Sequence, residues 1–370
     1  MEPIRLALAG IGNCANALVQ GLEHYRNASD ATLAGLMHPA VGPYRPADMR
    51  VVAAFDVDRR KVGRPLEEAV FAAPNCARVF QPELPPSGVT VQMGPVLDGV
   101  PDHMAAYPED QAFRPADAEP VDVAEALRAN GAEVLICFLP VGAEAAVRHY
   151  AQACLDAGVA LVNCQPVFIA SDPAWAEAFR AQGLPLVGDD IKSQLGATIA
   201  HRALARLFAD RGVTLDRTYQ LNTGGNTDFL TMLERERLAS KRRSKTESVQ
   251  SQLDTRLNEA AIHIGPSDHV AWQGDNKVAF IRMEGEGFGG APVELEMRLS
   301  VQDSPNSAGV VIDAARCVKL ALDRGIAGPL GAVSAYHMKH PPEQMRDSEA
   351  REAVEAFIHE AGSPVALAGE

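Results

Sequence analysis

Apolar positions in the first half of the chain fall into short unbroken runs, and stretches of helical period separate them. Ile4–Ala9, Arg50–Phe55, Val89–Gln92, Glu133–Leu139, Ala160–Asn163 and Pro185–Val187 read as strands. Runs of this length without polar alternation suit strands buried on both faces. Helical patterns reach His24 after the first run and then cover Leu66–Ala73, Val121–Asn130, Ala143–Ala157 and Pro173–Gln182. Regular alternation of the two predicts an α/β fold, a Rossmann-like doubly wound parallel sheet with helices on both faces. From about Leu215 the order changes. Thr214–Asn222, Ile262–Ile264, Val278–Met283 and Val293–Val301 group as strands around one helix, Asp228–Ala239. That grouping predicts a second, α+β domain with an open sheet, and open sheets commonly bury their free face in an oligomer. A long helix from Asp303 to Arg324 and a last helix from Asp347 are expected to pack back on the first domain.

Strand ends carry the polar chemistry, as they do in parallel sheets. Gly10-Ile11-Gly12-Asn13-Cys14-Ala15 is G-x-G-x-x-A between the first strand and the first helix. There Gly10 makes the turn, Gly12 admits a pyrophosphate, and small Ala15 lets helix pack on strand. The helix start supplies free N–H groups to the anion. A tight turn without ligand is the alternative. An insertion, Asn27–Asp48, delays the second strand, and Asp56 at its end suits an adenosine ribose, which favours NAD over NADP. The cations of Asp58-Arg59-Arg60-Lys61 leave that preference open, and Asp58 reads as a helix N-cap. Leu139-Pro140 ends another strand. Gly188–Thr198 opens a helix running to about Asp210, with Ser193, Gly196 and Thr198 as phosphate donors or, alternatively, Asp190 or Ser193 as plain caps.

The charge balance is negative, 34 basic against 48 acidic residues for a formal net charge of −14, which argues against nucleic acid and anionic membrane as partners. Against that background the cluster Lys241, Arg242, Arg243 and Lys245 stands out. Lys241 and Lys245 share a helix face, whereas Arg242 and Arg243 turn away as surface or interface charges. Six cysteines without paired spacing read as reduced thiols of a cytoplasmic protein. The histidines show no zinc spacing.

Taken together, these segments resemble the short prokaryotic type of inositol-1-phosphate synthase, also called inositol-3-phosphate synthase. The resemblance rests on GIGNCA at Gly10, FDVD at Phe55, LPVG at Leu139, VGDDIKSQLGAT at Val187 and NTGGNTDFL at Asn222. SKRRSK at Ser240, PSDHV at Pro266, DSPNSAG at Asp303 and MKHPPEQ at Met338 extend it over nearly the whole chain. It implies conversion of D-glucose 6-phosphate to 1D-myo-inositol 3-phosphate, the first step of inositol and inositol phospholipid biosynthesis. Carbon 5 is oxidised by NAD, carbon 6 enolises, the enolate attacks the carbon 1 aldehyde, and the hydride returns. By resemblance Lys339 handles the proton at carbon 5, Lys245 and Lys277 stabilise the enolate and aldehyde oxygens, and Lys241 lies beside cofactor and substrate. Asp303 orients a lysine or holds a cation, and Asp228 lies near the nicotinamide. Cofactor contacts fall on Gly10, Gly12, Asn13, Cys14, Ala15, Asp56, Leu139, Pro140, Asp190, Ser193, Asp228 and Lys241; the substrate phosphate falls on Ser193, Gly196 and Thr198. The larger eukaryotic members carry a contiguous Ser-Gly-Gln-Thr there, which leaves the phosphate donors open. A divalent cation, helped by Asp190 and Asp303, is a further candidate with no ligand set assigned, and a homotetramer is implied. The expected division is an NAD-binding domain of residues 1–200, completed by 304–370, and a catalytic and oligomerisation domain of 201–303. The alternative is an NAD-dependent dehydrogenase of a phosphorylated sugar or polyol.

Overall fold

The computed structural model of the chain describes residues 2–28 and 34–360. Residues 29–33 of the insertion and 361–370 of the expected C-terminal segment lie outside the described residues.

The chain opens with β1 (Ile4–Ala9), α1 (Asn13–His24), β2 (Met49–Asp56), α2 (Leu66–Ala69), β3 (Gln92–Met93) and α3 (Val123–Ala129). It continues through β4 (Val134–Cys137), α4 (Glu144–Ala157), β5 (Ala160–Asn163), α5 (Pro173–Ala181) and β6 (Pro185–Val187). Then come α6 (Ala197–Asp210), β7 (Arg217–Gly224), α7 (Thr227–Thr231), α8 (Ala239–Gln250), β8 (Ile262–His269), β9 (Asn276–Glu286) and β10 (Pro292–Gln302). The last elements are α9 (Asp303–Asp323), β11 (Gly328–Pro329), α10 (Gly331–His337) and α11 (Asp347–His359).

The first sheet is parallel throughout, in the order β11-β6-β5-β4-β1-β2-β3. Every residue of β4 and β5 is buried, which is why those runs carry no alternation. One face packs on α1 and α9 through Leu18, Val311 and Val318, the other on α3, α4 and α5 through Leu127, Val147 and Phe179. The doubly wound reading therefore holds, and the C-terminal helix α9 does return to the first sheet. The second sheet has the order β10-β9-β7-β8, with β7–β8 parallel and the other pairs antiparallel. Helices α6 and α8 cover one face through Phe208 and Val249, and Leu221 and Phe280 are exposed.

Some local expectations fail for physical reasons. Asp58 caps no helix. It is fully buried, accepts from the Arg60 backbone N–H at 2.8 Å and pairs with the Arg60 guanidinium at 2.5 Å, closing a polar turn. Residues 188–196 form an irregular strap, and the helix waits until Ala197 because Asp189 and Asp190 are drawn into buried contacts. Asp189 alone accepts from the backbone of Ile169, Ala170 and Ser171, each at 3.1 Å. The helix expected over Asp228–Ala239 breaks into α7 and a single tight turn before α8. Among the described residues no helix is long and apolar enough to cross a membrane.

Two buried charge networks fasten the layers. Arg202 on α6 donates to Asp347 on α11 at 3.0 Å and to the carbonyl of Ser248 on α8 at 2.6 Å, joining the second sheet's helices to the C-terminal segment. Arg316 on α9 donates to Asp313 at 2.5 Å and to the carbonyls of His38 at 2.9 Å and Tyr44 at 3.3 Å, so the insertion is tied to α9. Asp313 also bonds the His38 ring. Asp313→Asn would leave the Arg316 charge buried with no counter-charge. It is expected to lower unfolding free energy by about 3–5 kcal/mol, read from urea denaturation; a loss below 1 kcal/mol would show that the pair does not hold the insertion in place.

Candidate active site

One deep cleft receives the strand ends of the first sheet on one side and the second sheet with α7 and α8 on the other. Gly10 leaves β1 at φ +89°, and a Cβ there would come 2.9 Å from the Phe138 carbonyl oxygen, so only glycine fits the turn. A Cβ on Gly12 would meet nothing within 4 Å, which leaves open space over the helix start. Helix α1 has no side-chain cap, so its first N–H groups are available to an anion. Asn13 and Cys14 line the cleft, while Ala15 is wholly buried in the core beneath α1 and does not. The Asn13 side chain accepts from the N–H groups of Cys76 at 2.6 Å and Ala77 at 2.9 Å, holding the neighbouring loop.

Asp56 lies at the mouth of β2. Its carboxylate accepts from the backbone N–H of Ile11 at 2.6 Å, Val57 at 2.7 Å and Asp58 at 2.8 Å. The oxygen that faces Ile11 accepts only that one bond and keeps capacity for a ribose hydroxyl. Beside it stands Lys61, almost fully buried, 3.9 Å from Asp56 and hydrogen-bonded to Asn75 at 2.9 Å. Burial pushes the Lys61 amine below its usual range, against the pull of Asp56 and Asp58. Sequence reasoning counted Lys61 only among nearby cations; its contacts with Asn75 and Asp56 come from the fold.

At the other end four lysines converge. Lys339 follows α10, Lys241 and Lys245 lie on α8, and Lys277 lies on β9. All four line the cleft together with Asp190, Asp228, Asp303, Ser193, Gly196, Thr198, Leu139 and Pro140. Asp190 is the hub. Its carboxylate meets the Lys339 amine at 2.8 Å, the Lys241 amine at 3.4 Å and the Ser244 hydroxyl at 2.6 Å. Burial acts to raise the Asp190 carboxyl, but Lys241 and Lys339 outweigh it and hold it far below the carboxylate range. Asp303 pairs with Lys277 at 3.2 Å and, despite burial, is likewise held down by that lysine. Lys241 is pushed up to about 12, because Asp190, Asp228 and Asp303 overcome its burial. Lys339 is lowered by burial and by Lys241 and Lys277, with Asp190 opposing. Lys245 differs from the rest. It is buried with no hydrogen-bond or ion-pair partner among the described residues, and burial plus repulsion from Lys241, Lys277 and Lys339 pushes its amine well below the lysine range.

Supporting contacts fix this geometry. Asn226 caps α7 by accepting from Asp228 N–H at 3.1 Å, and donates to Asp275 at 2.9 Å. Asp275 in turn accepts from Ser304 N–H at 3.1 Å and its hydroxyl at 2.7 Å, locking the start of α9 beside Asp303. Burial, with Asp303 nearby, raises the Asp275 carboxyl to about 6. Helix α6 starts at Gly196 with no side-chain cap, and neither Asp190 nor Ser193 serves as one. Its free N–H groups therefore open into the cleft with Ser193 and Thr198. Ser244 escaped sequence reasoning, although its place three residues after Lys241 on one helix face was the available signal. Arg242 and Arg243 are exposed, and Arg243 lies 5.2 Å over the Phe168 ring. Among the described residues no cluster of three or more His, Cys, Asp or Glu is placed to hold a metal ion.

Residues 196–304 match the family profile of myo-inositol-1-phosphate synthase. The chain is 56% identical over 360 residues to an inositol-3-phosphate synthase of Mycolicibacterium smegmatis, covering 96% of this chain and 98% of that one. It is 54% identical over 364 residues to an inositol-3-phosphate synthase of Corynebacterium glutamicum, covering 97% and 99%. Among solved structures, that of Ari2 superposes with a TM-score of 0.76 at 37% identity, covering 97% of this chain and all of that one.

Because Asp190 opposes the depression of Lys339 and raises Lys241, Asp190→Asn is expected to move both amines to lower pH. A shift of about one unit or more is expected. NMR titration of lysines labelled at the ε carbon reads it directly, and unchanged titration of both amines would remove Asp190 from its place as hub.

Proposed function

The chain belongs to the myo-inositol-1-phosphate synthase family, and from that membership and the cleft we propose that it converts D-glucose 6-phosphate to 1D-myo-inositol 3-phosphate. The observation that carries this reading is the convergence of four lysines, from α8, β9 and the segment after α10, beside two uncapped helix starts. One helix start suits the pyrophosphate of NAD, the other the phosphate of the sugar.

The residues present fit NAD. Gly10, Gly12, Asn13 and Cys14 form the open cradle at α1, Asp56 offers an acceptor to the ribose, and Leu139 and Pro140 wall the cleft. Asp190, Ser193, Asp228 and Lys241 take the nicotinamide end. Bound NAD would supply a hydride acceptor at carbon 5 and later return that hydride.

The chain's own groups handle charge and protons. Ser193, Gly196 and Thr198 with the α6 N–H groups hold the phosphate. Lys339, kept in place by Asp190, moves the proton at the carbon 5 hydroxyl. Its lowered amine suits that exchange, because a proton carrier works best near the working pH. Lys277, oriented by Asp303, meets one developing oxyanion. Lys245 meets the other, and a phosphate dianion there offsets the repulsion from the neighbouring lysines and raises its amine. The donor set fits a divalent cation poorly, since Asp190 and Asp303 are already committed to lysines, and no step is routed through one.

The same reading assigns NAD to residues 1–200 with 304–370, and catalysis and oligomerisation to 201–303. The exposed Leu221 and Phe280 face of the second sheet supports a homo-oligomer, a tetramer by family membership.

Given NAD and glucose 6-phosphate, the protein is expected to yield inositol phosphate by phosphorus NMR without stoichiometric NADH. Steady NADH accumulation matched to an oxidised sugar phosphate would instead establish a dehydrogenase. Lys277→Ala and Lys339→Ala are each expected to lower kcat by roughly a hundredfold or more, with the thermal midpoint little changed. An unaltered kcat in Lys339→Ala would remove that residue from the proton step.

A further inference from the structure

Three cations, Arg59, Arg60 and Lys61, follow β2, and the linear chain leaves open whether they favour NADP. The fold separates them. Arg59 pairs with Glu109 at 2.5 Å in an exposed contact. Arg60 is committed to the Asp58 carboxylate at 2.5 Å and to the carbonyl of Ala112 at 2.9 Å. Lys61 is the one of the three that lines the cleft, beside Asp56 and Asn75.

Lys61 stands where a cation is costly. It is only 3% exposed, and its amine lies 3.9 Å from the Asp56 carboxylate, beyond hydrogen-bond reach. Its one hydrogen bond among the described residues goes to the Asn75 carboxamide oxygen at 2.9 Å. An ammonium carries three N–H donors, so donors remain for another molecule. The position is fixed rather than loose. Asn75 donates in turn to the carbonyls of Ile11 at 3.0 Å and Val70 at 2.8 Å. The Asp56 oxygen nearest Lys61 is the one that accepts from the Ile11 N–H at 2.6 Å. Donor and acceptor are thus both anchored on the G-x-G turn.

Asp56 ends β2, where dinucleotide folds hold the adenosine ribose. A carboxylate beside an ammonium offers an acceptor and a donor to the two neighbouring hydroxyls of that sugar. Charge then decides what the 2′ position can carry. Side by side the opposite charges nearly cancel, which suits a neutral hydroxyl. A 2′-phosphate would be repelled by Asp56 as well as attracted by Lys61. With the Asp56 charge removed, the same amine would face that phosphate unopposed.

We propose that Lys61 is a cofactor-specificity residue: with Asp56 it recognises the ribose diol of NAD, and Asp56 masks its capacity to bind a 2′-phosphate. This rests on the reading that the cleft holds a dinucleotide at its G-x-G turn.

The test is calorimetric titration of the full chain with NAD and with NADP, in wild type, Lys61→Gln, Asp56→Asn and the double variant. Glutamine keeps a donor for Asn75 and removes the charge, so support of the turn and recognition of the ligand are read apart. Wild type is expected to prefer NAD, and Lys61→Gln to bind NAD about tenfold more weakly, the size of one lost hydrogen bond. Asp56→Asn is expected to gain about tenfold or more in NADP affinity, and the double variant to lose that gain. Asp56→Ser, a smaller neutral replacement, takes its place should the asparagine variant fail to fold. An Asp56 variant that binds NAD without gaining NADP overturns the proposal, as does a double variant that keeps the gain. Unchanged NAD affinity in Lys61→Gln overturns it too, and a wild type that prefers NADP overturns the masking by Asp56. A wild type that binds NAD but forms no inositol phosphate sinks the reaction and leaves this assignment standing. One that binds neither nucleotide sinks the cofactor reading, and the assignment falls with it.

Discussion

The arrangement depends on one buried carboxylate. Asp190 sits at φ +62°, a conformation that non-glycine residues adopt only when their surroundings insist. Its N–H donates to Gln165 O at 3.0 Å and its carbonyl accepts from Lys339 N–H at 2.7 Å, so its backbone clamps the C-terminal loop to the strap after β6. Its side chain then gathers Lys339, Lys241 and Ser244 from two distant parts of the chain. A carboxylate taken so far out of water stays ionised only because these partners replace its solvation. The strained backbone and the paired charge are two sides of one constraint: the position cannot relax without releasing the lysines.

Around that hub charge is distributed unevenly by design of the fold. The chain as a whole is acidic, yet the cleft gathers four lysines, three of them paired with the carboxylates of Asp190 and Asp303. Lys241 gains from several nearby carboxylates and keeps its proton firmly. Lys245, one helical turn along, has no partner among the described residues and holds its proton more weakly. Side chains of one type thus acquire different chemistry from position alone, and a bound dianion narrows the difference. Rigid support matters for this, because lysines free to swing into water would all return to ordinary behaviour. The caps of Asn226 on α7 and Asp275 on α9 supply that support.

Much of this was legible in the linear chain where local rules and tertiary demands agree. Short unbroken apolar runs between helical patterns suit doubly buried strands, and G-x-G-x-x-A after the first of them marks a helix start open to an anion. The lysines stood out through their surrounding motifs. Legibility failed where a distant contact overrode a local pattern. Asp58 looked like a cap and is instead the acceptor for Arg60 and for the Arg114 N–H at 3.1 Å, a partner 56 residues away. The helix expected to open at Gly188 is delayed to Ala197 because Asp189 and Asp190 find better partners in β5, its loop and the C-terminal segment. Ala15 matched the dinucleotide motif, but its role is packing and its side chain never reaches the cleft.

By itself the sequence determined the two sheets and the open helix start after β1, since these follow from periodicity and small residues over a few neighbouring positions, whereas the four lysines were legible only through the family motifs around them. Only the tertiary structure decided which lysines are paired with a carboxylate and that Lys61 is buried beside Asp56. Those outcomes turn on distances of a few ångströms between segments far apart in the chain. Electrostatic and hydrogen-bond energies change steeply over such distances, and no local pattern encodes them.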